Sequence, residues 1–248
     1  MPSEHGGWGL TLEPVLLGLL VAWSSAGVAL GIAAFTAFLV RTPAKLVAVD
    51  LRRQRWLDRS RLALKIAAAE LFVLGAAVAA AILLAGWSWV VPVVVAAPLV
   101  AVEMSFEIRS RARKLVPELC GAIAVAAVVG SIVIAAGRSS GLAAGVWLVL
   151  AARATGAIPF VRVQILRLRR GTGPVWQGDL AQGCAIALAA IAVIADRRLL
   201  PGLAAIVVLA GAQYVWLRRA PIPAKQTGLR QMAMGVALVA VTAAGVLW

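Results

Sequence analysis

The stretch WGLTLEPVLLGLLVAWSSAGVALGIAAFTAFLV, Trp8 to Val40, contains no lysine or arginine in its 33 residues. As one continuous helix it would be about 50 Å long at 1.5 Å per residue, well beyond the roughly 30 Å of a bilayer core. The sequence WSSAG, Trp23 to Gly27, interrupts it near the middle. The stretch therefore predicts a hairpin of two short membrane helices, 8–23 and 24–40, and this count decides the topology of the rest of the chain.

The composition of the whole chain indicates a membrane protein. It is 62% hydrophobic with a mean hydropathy of +0.96, whereas a soluble domain is about half apolar. Apolar stretches long enough to cross a bilayer recur along its length. We therefore expect an all-α polytopic transmembrane bundle in the cell membrane, with residues 1–248 as one domain. The seven further predicted spans are 62–85, 87–104, 116–137, 140–160, 180–196, 199–217 and 229–248.

The positive charge is concentrated in alternate connections between these spans. The formal net charge is +14, and nearly all of it lies after the second, fourth, sixth and eighth spans, beginning with the eight Lys and Arg of RTPAKLVAVDLRRQRWLDRSRLALK. The other connections contain only Arg138, Arg197 and Arg198. By the positive-inside rule the N-terminus is cytoplasmic and the C-terminus external, and most of these arginines face lipid head groups. No RNA-binding signature or soluble basic domain supports a nucleic-acid partner.

Five ionisable residues inside the predicted spans lie on the same side of the membrane. Such groups are costly in a bilayer and usually face a cavity or a partner. With the topology above, all of them fall in the cytoplasmic half of their helices, and the outer half is nearly pure Ala, Val, Leu, Ile and Gly. A pathway across the membrane would need polar groups at both depths, so we expect a polar pocket open to the cytoplasm. The residues are Glu13, Glu70, Glu103, Glu118 and Arg153.

These residues supply the candidates for a site, each with a structural alternative. Glu13, Glu70, Glu118 and the single histidine, His5, are the candidate acid or base groups. Glu118 is also consistent with an ion pair to a nearby arginine at the membrane interface. Glu13 or Glu70 is also consistent with a structural ion pair to a buried arginine, and His5 with a helix cap. The candidate ligands of an anionic head group are Arg52, Arg109, Arg113, Arg153, Arg162 and Arg167.

Four segments resemble the YwiC-like family of bacterial integral membrane proteins. They are EHGGWGLTLEPVLLG at the start, RKLVPELCGA (113–122), RATGAIPFVRVQILRLRRG (153–171) and PAKQTGLRQ (223–231). The resemblance covers most of the chain in the expected order, and its histidine-glycine-tryptophan entry is its most specific part. It implies an integral membrane protein and assigns no biochemical activity.

A looser similarity runs to the intramembrane prenyltransferases of the UbiA superfamily. It implies nine helices, a cytoplasmic N-terminus and a polar pocket walled by the loops after helices two and six. That superfamily holds magnesium and a prenyl diphosphate with two aspartate-rich motifs, but here the first loop has only Asp50 and Asp58 and the second has Asp179. Two magnesium ions need clustered carboxylates, so we expect no metal site. Arginines in those loops are able to hold a phosphate or carboxylate directly.

Three functions are consistent with the sequence. The first is binding, and in one version transformation, of an anionic amphiphile such as an isoprenoid or lipid in the cytoplasm-facing pocket. The second is a small membrane transporter or exporter, although the chain shows no internal repeat and its outer half offers no polar lining. The third is a non-enzymatic helper of a membrane complex, for which the short loops leave little surface apart from the basic face. No cofactor or protein partner is identified by the sequence.

Overall fold

The computed structural model describes residues 5–108 and 114–248, and within them all side chains except those of residues 5–8, 10 and 108. The described chain forms nine α-helices, and a short 3-10 helix precedes the eighth. This confirms the predicted number of helices. The helices are α1 His5–Val21, α2 Ser25–Arg52, α3 Asp58–Ala85, α4 Val90–Ile108, α5 Leu115–Ala135, α6 Ser140–Arg170, α7 Val175–Ala195, α8 Leu200–Arg218 and α9 Ala224–Leu247, with the 3-10 helix at Arg197–Leu199.

The stretch from Trp8 to Val40 folds as the predicted hairpin. Helix α1 ends at Val21 and α2 begins at Ser25. Ser24 caps α2, because its hydroxyl accepts a hydrogen bond of 2.9 Å from the backbone N–H of Gly27. A second predicted turn, between α3 and α4, lies at residues 86–89.

Two helices extend well beyond the predicted spans. Helix α2 continues to Arg52 and α6 to Arg170, so at 28 and 31 residues they are about 42 and 46 Å long. The extension of α2 pairs with α3 outside the most apolar region. Asp50 accepts hydrogen bonds from the Ser60 hydroxyl at 2.7 Å and from Arg59 at 3.1 Å. The extension thus occupies part of the charged connection between the predicted spans 24–40 and 62–85.

Eight of the described helices, α2 to α9, are long and apolar enough to cross a membrane. Helix α1 is shorter, at 17 residues or about 25 Å. The chain is therefore a multi-pass membrane protein. Its orientation in the membrane stays a prediction.

Helix α6 lies at the centre of the packing, in contact with α5, α7, α8, α9 and α1. Helix α1 packs between α5 and α9 and also contacts α2. The interior where these helices meet contains side chains that are 0–1% exposed: Leu17, Val129, Val146, Val149 and Leu238. In contrast, α3 packs chiefly against α2.

Short connections make consecutive helices antiparallel, so every second connection lies at the same end of the bundle. The start of α1 shares one end with the connections α2–α3, α4–α5, α6–α7 and α8–α9, and we call it the basic end. The four remaining connections lie at the opposite end. The arginine-rich segments that predicted the topology therefore occupy one end of the structure.

Candidate functional site

Arg153 is buried in the middle of the bundle, with 6% of its surface exposed. Its Nη1 donates a hydrogen bond to the Gln231 side-chain Oε1 at 2.8 Å, and its Nη2 donates to the Gln231 backbone carbonyl at 2.6 Å. A buried guanidinium needs such acceptors because transfer of an unpaired charge from water is very costly. Arg153 and Gln231 thus tie α6 to α9.

Glu13 of α1 lies next to this contact and is 8% exposed. Its carboxylate and the Arg153 guanidinium are near enough to interact electrostatically, but they are more than 4.0 Å apart and form no direct ion pair. The carboxylate rests against the backbone of α9 at Gly235, where the Cβ of any other residue would lie 1.8 Å from the Glu13 Oε1. Only glycine at this position leaves room for the acid. Three helices, α1, α6 and α9, therefore share one buried polar cluster, which we call the Arg153 cluster: Glu13, Arg153, Gln231 and Gly235.

A second buried polar contact lies on the other side of α6. Gln182 of α7 donates hydrogen bonds to the Gly156 carbonyl at 3.0 Å and to the Gln213 Oε1 of α8 at 2.9 Å. A void of about 10 Å³ borders it, which holds at most one water molecule. This contact is a closed structural link between α6, α7 and α8.

A larger cleft opens at the basic end, between α6, α8 and α9. Its volume is about 240 Å³, and we call it the α6–α8–α9 cleft. Gln231 forms part of its wall, so the cleft borders the Arg153 cluster. Its lining combines aromatic, amide and cationic side chains, chiefly Phe160, Gln164, Trp216, Arg219, Arg230 and Gln231.

Two amide atoms in the wall of this cleft have no hydrogen-bond partner. They are the Gln164 Oε1 and the Gln231 Nε2, on side chains that belong to residues only 3% and 9% exposed. Both amides have a fixed orientation, because the Gln164 Nε2 donates to the Trp216 carbonyl at 3.1 Å and the Gln231 Oε1 accepts from Arg153. One amide acceptor and one amide donor are therefore buried among the residues of the wall without a hydrogen-bond partner.

Two arginines in the wall of the cleft have no acidic partner within the described part of the chain. Arg219 and Arg230 are exposed, and no described carboxylate lies within 4.0 Å of either guanidinium. Arg230 lies over the Trp216 ring, 5.2 Å from its centroid, a cation–π distance. Arg218, at the same end, differs from them because it makes two hydrogen bonds with Asp179.

The structure distributes the residues predicted for a site over several contacts. It brings Glu13 and Arg153 together, and it pairs Glu118 with Arg162 at 2.8 Å across α5 and α6. Arg167 donates to the Leu217 carbonyl. The roles assigned to these residues stay predictions.

The other predicted residues lie apart from the cleft or outside the described residues. Glu70 faces the α2–α3 contact on the same stripe of α3 as Ala67, and its Oε2 is buried without a partner. Arg52 is exposed at the end of α2. Arg109 and Arg113 lie outside the described residues, and for His5 the structure gives only its place at the start of α1. In the described ranges no three His, Cys, Asp or Glu side chains are grouped to hold a metal ion.

Gln164, Trp216, Arg219 and Arg230 were not recognised from the sequence as members of a site. Gln164 lies beyond residue 160, where the sixth predicted span ends, and therefore seemed part of a polar loop. Once α6 continues to Arg170, the spacing of four residues places Phe160 and Gln164 on one face of that helix. The available signal was thus a helical periodicity running through a charged segment.

Comparisons with known proteins agree with the architecture. A family model described as YwiC-like protein matches residues 1–135, which is more than half of the 248 residues. The match ends with α5, so the helices that form the cleft lie beyond it. No curated protein and no solved structure matches the chain, and the similarity to the UbiA superfamily stays a prediction. With its membrane-crossing helices and this match, the chain belongs to the YwiC-like family of membrane proteins.

Proposed function

We propose that the protein binds an amphiphile with an anionic head group in the α6–α8–α9 cleft. The observation that supports this most directly is the pair of unpaired arginines, Arg219 and Arg230, beside buried amides that also lack partners. Guanidinium groups bind phosphates and carboxylates by charge-assisted hydrogen bonds. The site is therefore equipped for an anion and needs no metal.

The apolar part of the proposed ligand has a surface to lie on. Phe160, Trp216 and Ile222 line the cleft, and the side chains of Leu229 and Met232, on the adjoining turn of α9, are 64% and 48% exposed. A volume of about 240 Å³ is below the 300–1,000 Å³ typical of sites for drug-sized molecules. It suits a head group, with the hydrocarbon chain lying outside along α8 and α9.

The predicted topology also indicates the side of the membrane from which the ligand enters. If the basic end is cytoplasmic, as the positive-inside rule predicts, the ligand comes from the inner leaflet. The Arg153 cluster then lies behind the head group, and Arg153 acts by holding Gln231 in the wall of the cleft. Arg162 and Arg167, which the sequence predicted as head-group ligands, have partners inside the protein. The proposed head-group ligands are therefore Arg219 and Arg230.

The test is binding of defined lipids to the purified protein in mild detergent, measured by native mass spectrometry. We expect dioleoyl phosphatidylglycerol to bind in preference to the zwitterionic dioleoyl phosphatidylcholine. The double substitution Arg219→Gln and Arg230→Gln should weaken phosphatidylglycerol binding by about tenfold or more, since two charge-assisted hydrogen bonds are lost.

The matched control removes the same charge at the opposite end of the bundle. Arg138 and Arg197 are also exposed and also have no described ion-pair partner, so Arg138→Gln with Arg197→Gln should leave binding unchanged. Equal losses in the two double variants would show that net charge alone attracts the lipid. That result, or the absence of any preference for the anionic lipid, would contradict the proposal.

A further inference from the structure

The α2–α3 hairpin, residues 25–85, is held differently at the two ends of the bundle. At the end opposite the basic end, α2 packs closely against α5 and α1. A Cβ at Gly27 would lie 2.9 Å from the Ile132 side chain of α5, and a Cβ at Gly31 would lie 2.7 Å from the Val15 side chain of α1. Helices that approach so closely have little freedom to separate.

Towards the basic end this close packing stops. In the described stretch 37–46 of α2 no side chain is buried, and the same is true of residues 97–107 of α4. Among the described helices, no extended packing joins α4 to α2 or to α3, although a short connection links α3 to α4. The hairpin and α4 therefore lie next to each other without a shared packed interface.

Ion pairs join the hairpin to α4 at the basic end. Arg41 of α2 donates hydrogen bonds to Glu103 of α4 at 2.9 Å and to Glu107 at 2.7 Å, and Lys45 donates to Glu107 at 3.1 Å. The side chains of Arg41 and Lys45 are 51% and 64% exposed. Exposed ion pairs contribute little to stability and weaken as salt is added. This contact, which we call the basic-end latch, therefore breaks more easily than the close packing at the other end.

We infer that the α2–α3 hairpin is a side gate, which tilts away from α4 about its packed end when the basic-end latch opens. Its two helices move together, because Asp50 of α2 accepts hydrogen bonds from Ser60 and Arg59 of α3. From Gly31 to Asp50 the helix measures about 28 Å, so a tilt of about 10° moves the tip of the hairpin by about 5 Å.

The open gate creates a side entrance to the bundle from the leaflet at the basic end. The entrance lies next to α5, where the Glu103 carboxylate rests against Gly121: a Cβ there would lie 2.7 Å from the Glu103 Cδ. This inference is independent of the proposed function, because the α6–α8–α9 cleft is built from other helices.

The test is the distance between two spin labels at the basic end, measured by double electron–electron resonance on the full chain in lipid nanodiscs. The native cysteines, at 120 and 184, are first replaced by alanine. The labels are attached through Leu62→Cys on α3 and Met104→Cys on α4, at side chains that are 60% and 55% exposed. Glu103→Gln with Glu107→Gln removes the ion pairs and should increase the mean distance by about 5 Å, as expected for the tilt above.

A second label pair reports on the opposite end. Leu83 of α3 and Ile194 of α7 are 86% and 84% exposed there, and labels at these positions should keep their distance when the latch is removed. An equal change at both ends would overturn the inference, because the hairpin would then detach as a whole and would not pivot about its packed end.

The matched control breaks two other ion pairs at the basic end with the same change in charge. Glu118→Gln with Asp179→Asn removes the partners of Arg162 and Arg218, but these pairs join helices that also pack against each other. The basic-end distance should stay the same in this variant. An increase equal to that of the latch variant would overturn the inference and assign the movement to charge repulsion.

Salt replaces the latch variant if that variant does not fold, as judged by its melting transition and elution profile. Raising NaCl from about 20 mM to about 500 mM shortens the Debye length about fivefold and weakens exposed ion pairs. In the labelled protein with its ion pairs intact, the basic-end distance should then increase and the distance at the opposite end should not. An unchanged basic-end distance in the latch variant, or in the salt series where it is used, would show that packing fixes the hairpin and would overturn the gate.

Discussion

Helix α6 and the consecutive helices α3 and α4 are all rich in Ala, Val and Leu, yet they have opposite surroundings. In the most apolar 18-residue stretch of α6, 67% of the residues are buried, against 17% in the corresponding stretch of α3 and 11% in that of α4. Side chains such as Phe72, Leu83 and Val94 are 78%, 86% and 63% exposed. Hydropathy thus identifies a helix that crosses the membrane but does not indicate whether lipid or protein covers it.

The difference arises from the polar and small residues of each helix. Lipid tails are as apolar as leucine, so helices in a membrane associate through close packing and hydrogen bonds. In α6, Arg153 binds α9, Gln164 binds α8 and the Gly156 carbonyl binds α7. The only acid within the apolar part of α3, Glu70, keeps one buried oxygen without a partner. Interhelical hydrogen bonds therefore mark the packed interior.

The largest effect should come from the centre of the interior. We expect Arg153→Met to destabilise the protein by about 3–5 kcal/mol, because it leaves Glu13 buried without a positive neighbour and removes both donors to Gln231. The measurement is the free energy of unfolding in mixed detergent micelles.

The control for this substitution is an arginine of the exposed helices. Arg61 on α3 is exposed and makes no ion pair with the described residues, so Arg61→Met should change the free energy of unfolding by less than about 0.5 kcal/mol. Equal effects of the two substitutions would mean that the buried cluster contributes nothing particular to stability.

The next effect compares two leucines. Leu17 of α1 is fully buried, whereas Leu83 of α3 is 86% exposed. We expect Leu17→Ala to cost about 2–3 kcal/mol through the cavity that it leaves, and Leu83→Ala to cost almost nothing because lipid or detergent fills the space. The same unfolding measurement checks both. A substantial loss at Leu83 would indicate that a protein partner, rather than lipid, covers α3.

The sequence predicted much of the fold and little of the cleft. The number of helices and the turns near Trp23 and Trp87 follow from the bilayer thickness, which limits how long an apolar helix can be. The ends of α2 and α6 were placed about ten residues too early, because their extensions are charged and are stabilised by neighbouring helices. The cleft depends on which helices pack against α6, and that information is absent from the local sequence.

A pair of glycines tests the close approach at the Arg153 cluster. A Cβ at Gly235 would lie 1.8 Å from the Glu13 Oε1, whereas a Cβ at Gly75 of α3 meets nothing within 4 Å. We expect Gly235→Ala to destabilise the protein by about 1–2 kcal/mol, since Glu13 must shift. Gly75→Ala should be neutral or stabilise by up to about 1 kcal/mol through helix propensity.

Thermal unfolding of the two glycine variants measures this difference, and combining Gly235→Ala with Glu13→Asp provides a check. The shorter acid should recover part of the loss, because it withdraws the carboxylate from position 235. Equal melting temperatures for Gly235→Ala and the unmodified protein would show that the acid moves away freely and that the interior there is loosely packed.

The smallest effect is expected at the opposite end, where a polar contact lies at the surface. Asp196 caps the 3-10 helix by accepting hydrogen bonds from the Arg198 backbone N–H at 3.0 Å and from its guanidinium at 2.7 Å. The hydrogen bond from the Arg198 side chain lowers the pKa of the Asp196 carboxyl below its ordinary value. Because the folded-state pKa is below that of the unfolded chain, the ionised acid stabilises the protein above about pH 4, and this contribution is lost as the pH falls further.

We therefore expect Asp196→Asn to lower the free energy of unfolding by less than about 1 kcal/mol between pH 5 and 8, since half of the Arg198 side chain faces solvent. The difference from the unmodified protein should shrink as the pH falls below 4. Asp58→Asn is the control, because Asp58 is exposed and makes no ion pair within the described residues. If Asp196→Asn lowered the free energy of unfolding as much as Arg153→Met does, the contrast would be wrong. A surface pair that caps a short helix would then stabilise the protein as much as a buried polar cluster that joins helices.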